Sequence, residues 1–438
     1  MLFFCFSRGD PAVDDRRQAP ARIALPVGFI IVLGLLAGLP PLSIDISLPG
    51  LPAIGAELGA SDAQMQATLG AFMLTFGFGQ LAWGPLSDRH GRLRIILSGL
   101  VVYVVAALAC MLAQGGAALV GWRALQGFGA SAASVAGIAL VRDVFPQPQQ
   151  RATIQSFIVA VLSLAPIVAP LLGALVIHLA GWRGLFGVLA GAGLLLIGIV
   201  AARLRSGRLQ ALRASAAQAP AGAPEAPSAS GASGTPSGYR RFISLPHALA
   251  LAVSLGMVFC GMFVFISGSP FVLIDRMRIS SAAYAVAFAI ASAAVLAGSL
   301  ATARLSQRGV APQRILAAGV RGAACAGVVA LVVGLVLSDA HGQWWEVALF
   351  VAAMAASLFF GGFVMPAIYA LGLQDAGAMA GVGAAVLGAS QMLGGALGST
   401  AVGVLPIAPV VAVGMLAAAC GLLTWGIAAA TMKAGTSR

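Results

Sequence analysis

An all-α membrane protein, with twelve transmembrane helices in two six-helix bundles, is predicted by three observations on this chain. The first is composition: 60% of residues are hydrophobic, only 9% are charged, and the mean hydropathy is +0.98. A water-soluble surface cannot be built from so few charges, so lipid must be the main solvent. The second is segment length. A helical crossing needs ~20 apolar residues, and runs of that order fall at roughly 24–47, 64–86, 94–113, 117–141, 152–179, 183–204, 246–272, 282–303, 312–337, 344–371, 376–404 and 408–431. The alternating segments of about ten residues that build a membrane β-barrel do not occur. The third is an abrupt change at residues 205–245, where Ala, Pro, Ser and Gly dominate and prolines stand at 220, 224, 227 and 236. Such a stretch cannot pack and reads as a flexible linker.

The elements follow in order: a tail at 1–23, an N-terminal bundle at 24–204, the linker at 205–245, a C-terminal bundle at 246–431 and a tail at 432–438. Glycine and proline are frequent inside the spans, as neighbouring helices permit. With the N-terminus inside, the inner segments hold twenty Lys and Arg residues, while the outer loops hold only Arg183, Arg276 and Arg278. That asymmetry places both termini in the cytoplasm. The net charge of +12 is therefore topological, suited to anionic lipid head groups and not to nucleic acid. Residues 1–6 are apolar but too short for a signal peptide. The halves echo each other: Leu86-Ser87-Asp88-Arg89 recurs as Leu305-Ser306-Gln307-Arg308, each after the second span of its half.

Several chemistries are excluded. Lys433 is the only lysine, so there is no Gly-Lys-Ser/Thr phosphate loop, and transport must draw on a gradient or a separate ATPase. Cys5, Cys110, Cys260, Cys325 and Cys420 form no Cys-x-x-Cys pair, and the four histidines form no cluster, so no metal, cofactor or disulfide is expected. No organised nucleophile is visible, and the chain is not expected to be an enzyme.

Ionisable residues inside spans are costly and point to function. Asp45, in Ser43-Ile44-Asp45-Ile46-Ser47-Leu48-Pro49, sits ~28 Å along the first span, in the half away from its entry, in a core ~30 Å thick. Arg123 sits ~9 Å from the outer start of the fourth. The two reach a similar depth, where they are expected to pair. Desolvation opposes ionisation of a carboxyl and a guanidinium favours it, so a change in either lets Asp45 take a proton on one side and release it on the other. Arg321 is expected to snorkel to the interface. Gly381, Gly383, Gly394, Gly395 and Gly398 read as helix-contact faces.

Three motifs carry a family resemblance. Residues 84–94 read Gly84-Pro85-Leu86-Ser87-Asp88-Arg89-His90-Gly91-Arg92-Leu93-Arg94, a polar turn between the second and third spans. A generic positive-inside loop explains the arginines but not Asp88 or the glycines. The turn resembles the signature loop of the major facilitator superfamily, Gly-x-Leu-x-Asp-Arg-x-Gly-Arg-x-Arg, at every fixed position. Arg123-Ala124-Leu125-Gln126-Gly127-Phe128-Gly129-Ala130 resembles the superfamily's fourth-span motif. Ala165-Pro166-Ile167-Val168-Ala169-Pro170-Leu171-Leu172-Gly173-Ala174 is similar to its antiporter motif, with three glycines replaced by alanine. That stretch with Gly181-Trp182-Arg183, together with Val141-Arg142-Asp143 and Ser269-Pro270-Phe271-Val272-Leu273, resembles the bicyclomycin-resistance (Bcr/CflA) branch of twelve-span drug:proton antiporters.

The resemblance implies parallel repeats with a substrate path between the bundles. It implies proton coupling by Asp45 and Arg123, and a conformational latch of Gly84, Asp88, Arg89, Gly91, Arg92 and Asp143. In that latch Arg92 meets Asp143, and Asp88 faces the start of the eleventh helix, near Asp375. Pro166, Pro170 and Gly173 form the antiporter motif. Gln126, Met73, Phe76, Met262, Phe265 and Met392 are candidates to line a pliable substrate pocket. The implied function is proton-coupled multidrug efflux by a monomer in the bacterial inner membrane, acting on small amphipathic or hydrophobic substrates. A proton-driven exporter of a narrower metabolite class, an amino acid or dipeptide, is the alternative. A substrate-gated receptor would need a folded output domain that the linker is too short to supply.

Overall fold

The computed structural model describes residues 27–144, 148–205, 236–245, 247–374, 376 and 379–436. The first crossing is a broken rod: α1 (Val27–Asp45), a 3-10 turn (Leu48–Gly50) and α2 (Leu51–Leu58). The run expected to end near 47 therefore extends to 58. Pro49 and Pro52 stand second in the two later segments, within the first turn, where the N–H has no partner inside the helix and its loss costs nothing, so the chain restarts as helix after the break. Then come α3 (Asp62–His90), α4 (Arg92–Met111), α5 (Gly116–Val144) and α6 (Pro148–Arg205). The 58 residues of α6 are two limbs, divided at Gly181 with φ 67°. The second half has a short α7 (Pro236–Ile243), then α8 (Ala248–Pro270) running into a π turn (Phe271–Arg276). It continues with α9 (Ser281–Gln307), α10 (Pro312–Val336), α11 (Trp344–Gln374), α12 (Ala380–Val404) and α13 (Pro409–Thr436).

Among the described residues, ten segments are long and apolar enough to cross a membrane, the two limbs of α6 counting as one. The other two crossings of the twelve are α3, whose hydropathy is diluted by Gln64, Gln66, Gln80, Asp88 and Arg89, and the second limb of α6. Three helix starts on the face away from the α3–α4 turn are capped by side chains. Ser61 accepts from Gln64 N and Gln64 Oε1 accepts from Ser61 N, a reciprocal box that satisfies two end donors. Ser280 accepts from Ala283 N at the start of α9. Glu346 Oε2 accepts from His341 N (3.0 Å) and Gln343 N (2.8 Å) at the start of α11.

Crossings one to six pack among themselves, as do α8 to α13, and the halves meet along α3 with α12 and α6 with α9. Four of the five glycines expected as contact faces behave so: Gly394 lies on the Gly256 backbone, Gly398 on the Cys260 carbonyl, Gly395 on Met73 across the two halves and Gly383 on Phe242, whereas Gly381 faces open space. Call the side carrying the α3–α4 turn the loop face and the opposite side the far face. At the far face the halves touch, with Ser281 Oγ donating to the Pro49 carbonyl at 3.3 Å and Gly403 lying against Ala63. Of the expected linker, residues 206–235 lie outside the described residues. Residues 236–243 are helical, and Phe242 is fully buried beside Ala248, Ala376 and Val382. The packed C-terminal half thus begins about ten residues before the run at 246, because an apolar ring anchors the amphipathic α7 against it.

Candidate functional site

Asp45 is the last residue of α1, at the break in the first crossing. It is 5% exposed and makes no hydrogen bond or ion pair among the described residues. Its position is set from α6. Gly173 presses on the Ile46 carbonyl and the Pro49 ring, and a Cβ there would collide with the carbonyl oxygen. The retained glycine of the antiporter-like stretch therefore allows α6 to hold the break shut, with buried Pro170 one turn before it and half-buried Pro166 beyond. Asp45 lies within electrostatic range of Tyr284 on α9 in the opposite half. Tyr284 in turn shares a 3.0 Å hydrogen bond with Ser269.

Arg123 is 1% exposed and does not meet Asp45. Nη1 donates to Gln126 Oε1 at 2.8 Å, and the guanidinium stands 4.7 Å over the Phe72 ring. Tyr103, hydrogen-bonded to Ser43 at 2.7 Å, and Cys110 complete its surroundings. Two glycines of the same motif bring the helices this close: Gly127 abuts the Phe72 carbonyl of α3, and Gly129 abuts Tyr103 and Gly99 of α4. Thr75 Oγ1 donates to the Ala124 carbonyl at 2.5 Å, tying α3 to α5 again. The expected pair is thus split: Arg123 turns into its own half, while Asp45 turns toward the other. Sequence reasoning gave depth from the helical rise, but not which way each side chain points. Tyr103 and Tyr284 were missed; a lone tyrosine inside an apolar run, as in Val101-Val102-Tyr103-Val104-Val105, was the available signal.

At the loop face, Arg92 is the hub. It forms an ion pair with Asp88 one turn earlier, donates from Nε to Asp143 Oδ2 at 3.1 Å and from Nη1 to Ser87 Oγ at 2.6 Å. Gly91 has φ 90°, a backbone state that side chains resist, and it lets α4 restart at once. Gly84 has open space around it and Arg89 is exposed. Asp375, expected opposite Asp88, lies outside the described residues.

The proposed pocket side chains do not converge. Met73 packs on Gly395 and Met392 on Gly77, filling the contact between α3 and α12. Met262 lies on Gly361 and Phe265 beside Phe350 inside the C-terminal half, and Phe76 stacks with Phe72. Unbranched Met and large Phe serve helix packing as readily as ligand binding, and here they pack. Polar groups that sequence reasoning passed over lie nearby: Tyr369 donates to Gln391 at 2.9 Å, and Gln80 approaches Gly388. Arg321 is exposed on α10.

Residues 26–399 match the Major Facilitator Superfamily model. The chain belongs to the major facilitator superfamily. It is 30% identical over 380 residues, 86% of this chain and 89% of the other, to an uncharacterized MFS-type transporter, YdgK, of Bacillus subtilis. It is 38% identical over 172 residues, 39% of this chain and 43% of the other, to a bicyclomycin resistance protein homolog of Haemophilus influenzae. With the multidrug resistance protein MdtL of Salmonella typhi it shares 28% identity over 369 residues, 84% and 86% of the two chains. These names are consistent with the Bcr/CflA branch, and this multi-pass membrane protein of the superfamily has multidrug and antibiotic resistance proteins among its relatives.

Proposed function

We propose that this transporter exports drug-like molecules from the bacterial cytoplasm in exchange for protons, by alternating access across the inner membrane with both termini cytoplasmic. The observation that carries the reading is Asp45: a carboxyl nearly sealed in the protein, without a partner, at a helix break between the two halves. Water favours the carboxylate and desolvation favours the acid. A group at such a joint changes its surroundings whenever the halves rock. Closure of the far face, through Ser281 and Pro49 and through Gly403 and Ala63, supports reading this arrangement as one with the outer side shut. In the opposite arrangement Asp45 takes a proton from outside as substrate leaves; the sealed surroundings of this arrangement keep it protonated, and it gives the proton up inward once arriving substrate and water open the site. The Arg92 cluster at the loop face would fix the inner end of the N-terminal half while the halves move. Relatives named for multidrug and bicyclomycin resistance support the substrate class.

An efflux panel in a pump-deficient host tests this. Expression should confer resistance to several structurally unrelated compounds, and a protonophore should abolish it. Resistance to a single amino-acid analogue, or resistance that survives the protonophore, would overturn the reading.

A further inference from the structure

Arg123 holds a full positive charge inside the N-terminal half with no anion beside it. Its guanidinium stays protonated at any reachable pH, and a buried charge left uncompensated is strongly destabilising. The partners present do not neutralise it. Gln126 offers one neutral oxygen to Nη1, Phe72 offers a ring face at 4.7 Å, and Arg123 forms no ion pair among the described residues, with Asp45 or any other acid. Arg123 Nη2 is buried with no acceptor. Gln126 Nε2 is buried beside the Tyr103 hydroxyl, which gives its own hydrogen to Ser43 and is only a weak, poorly aligned acceptor for the amide; no other acceptor reaches Nε2 among the described residues. Both residues are at most 1% exposed. Unsatisfied buried donors are uncommon in native proteins, and each calls for an acceptor.

We propose that Arg123 Nη2 and Gln126 Nε2 seat a monovalent anion during the transport cycle, either the carboxylate of a transported molecule or a free halide. The required chemistry is common to both: one negative charge, compact enough to lie between α3, α4 and α5, accepting from a guanidinium and an amide. A charge-assisted pair of this kind is roughly twice as strong as a neutral one. The carboxylate source rests on the transport reading above; the seat itself does not. On that source the protein favours acidic or zwitterionic compounds over their esters and amides, a preference that apolar pocket lining alone would not create.

The test is thermal unfolding of the purified full chain in detergent, against a background of sodium sulfate at matched ionic strength. The probes are sodium chloride, sodium benzoate and benzamide, the last a neutral molecule of benzoate's shape. Chloride or benzoate should raise the unfolding temperature saturably, and benzamide should not. Arg123→Gln should abolish the response. Gln126→Leu keeps the charge and removes one donor, so it should weaken binding about tenfold, and it carries the test if Arg123→Gln fails to fold. Saturation by benzoate that chloride does not compete away assigns the seat to a substrate carboxylate; saturation by chloride assigns it to the halide. An unsaturable response, an equal response to benzamide, or an unchanged affinity in Gln126→Leu would overturn the proposal. So would a response that appears only in Asp45→Asn, since Asp45 would then be the natural occupant. Proton-coupled transport is read separately in vesicles: if it persists while no anion binds, the seat is lost and the transport reading stands.

Discussion

The two halves share a helix plan but differ in what they bury. The N-terminal half encloses an acid, a guanidinium and two amides: Asp45, Arg123, Gln126 and Gln66. The C-terminal half buries hydroxyls, among them Ser267, Ser269, Ser292 and Thr302, and, among the described residues, one charged side chain, Glu346 at 6% exposed. Glu346 is occupied: two backbone N–H groups donate to it at the start of α11. Asp45 has no such partner. A buried acid alone is therefore a poor marker of function in this fold, and the marker is a buried acid left without a partner. The same contrast holds for the repeated turn. Asp88 in the first half pairs with Arg92, which also holds Asp143, whereas Gln307 and Arg308 form no ion pair among the described residues.

The sharpest way to break this comparison is Asp45→Asn. It keeps shape and hydrogen-bonding capacity but cannot carry a proton. Accumulation of substrate against its gradient should fall to background, while exchange of a neutral substrate down its gradient continues. Drug-induced proton release in detergent should vanish. Undiminished release would move the proton site to another carboxylate and remove the distinction between the halves.

Next in size is Gly173→Ala. The added methyl collides with the Ile46 carbonyl, and overpacking of this kind costs about 1–3 kcal/mol. That is a shift of about fivefold to over a hundredfold in the population of this arrangement. Transport should fall several-fold with membrane insertion intact. Gly184→Ala, also in α6 but away from the break, serves as the control, and equal loss in both would show that α6 packing in general is being read.

Asp88→Asn should have a smaller effect. An exposed ion pair is worth about 0.2–1 kcal/mol, and Arg92 keeps Asp143 and Ser87. Transport in whole cells should drop less than about fivefold, with normal expression. If transport is unchanged, the turn sets topology alone in this protein.

Much of this was legible in the sequence. Most of the crossings follow from apolar length, and the meeting of Arg92 with Asp143 follows from the likeness of the turn to the superfamily's signature loop; the pairing of Arg92 with Asp88 across the bend at Gly91 was not foreseen. What was not legible is rotational. The helical rise puts Asp45 and Arg123 at one depth, but Gly127 and Gly129 draw α5 onto α3 and α4 and turn Arg123 inward. The Met and Phe candidates failed to converge for the same reason, since side-chain direction depends on which neighbour each helix packs against. The break at Asp45 was hidden as well: the prolines at 40, 41, 49 and 52 signal bending, but not that the rod restarts and runs on to Leu58. Gly173 could be read only as a remnant of a motif until the Ile46 carbonyl was found against it.

The smallest expected effect on transport belongs to Glu346→Gln, and it completes the comparison from the other side. The variant keeps one acceptor oxygen for the donors of His341 and Gln343 but loses the charge that favours a helix N-terminus. Loss of such a cap costs about 1 kcal/mol of stability, or about 2 °C in the unfolding temperature of a chain this large. Transport per folded molecule and drug-induced proton release should be unchanged, because the carboxylate serves α11 alone. The measurement pairs an unfolding curve with a proton-release titration on one purified sample. A normal unfolding temperature with lost proton release would place the coupling acid in the C-terminal half. Asp45 would then be the structural residue of the two, however exposed its lack of partners makes it look.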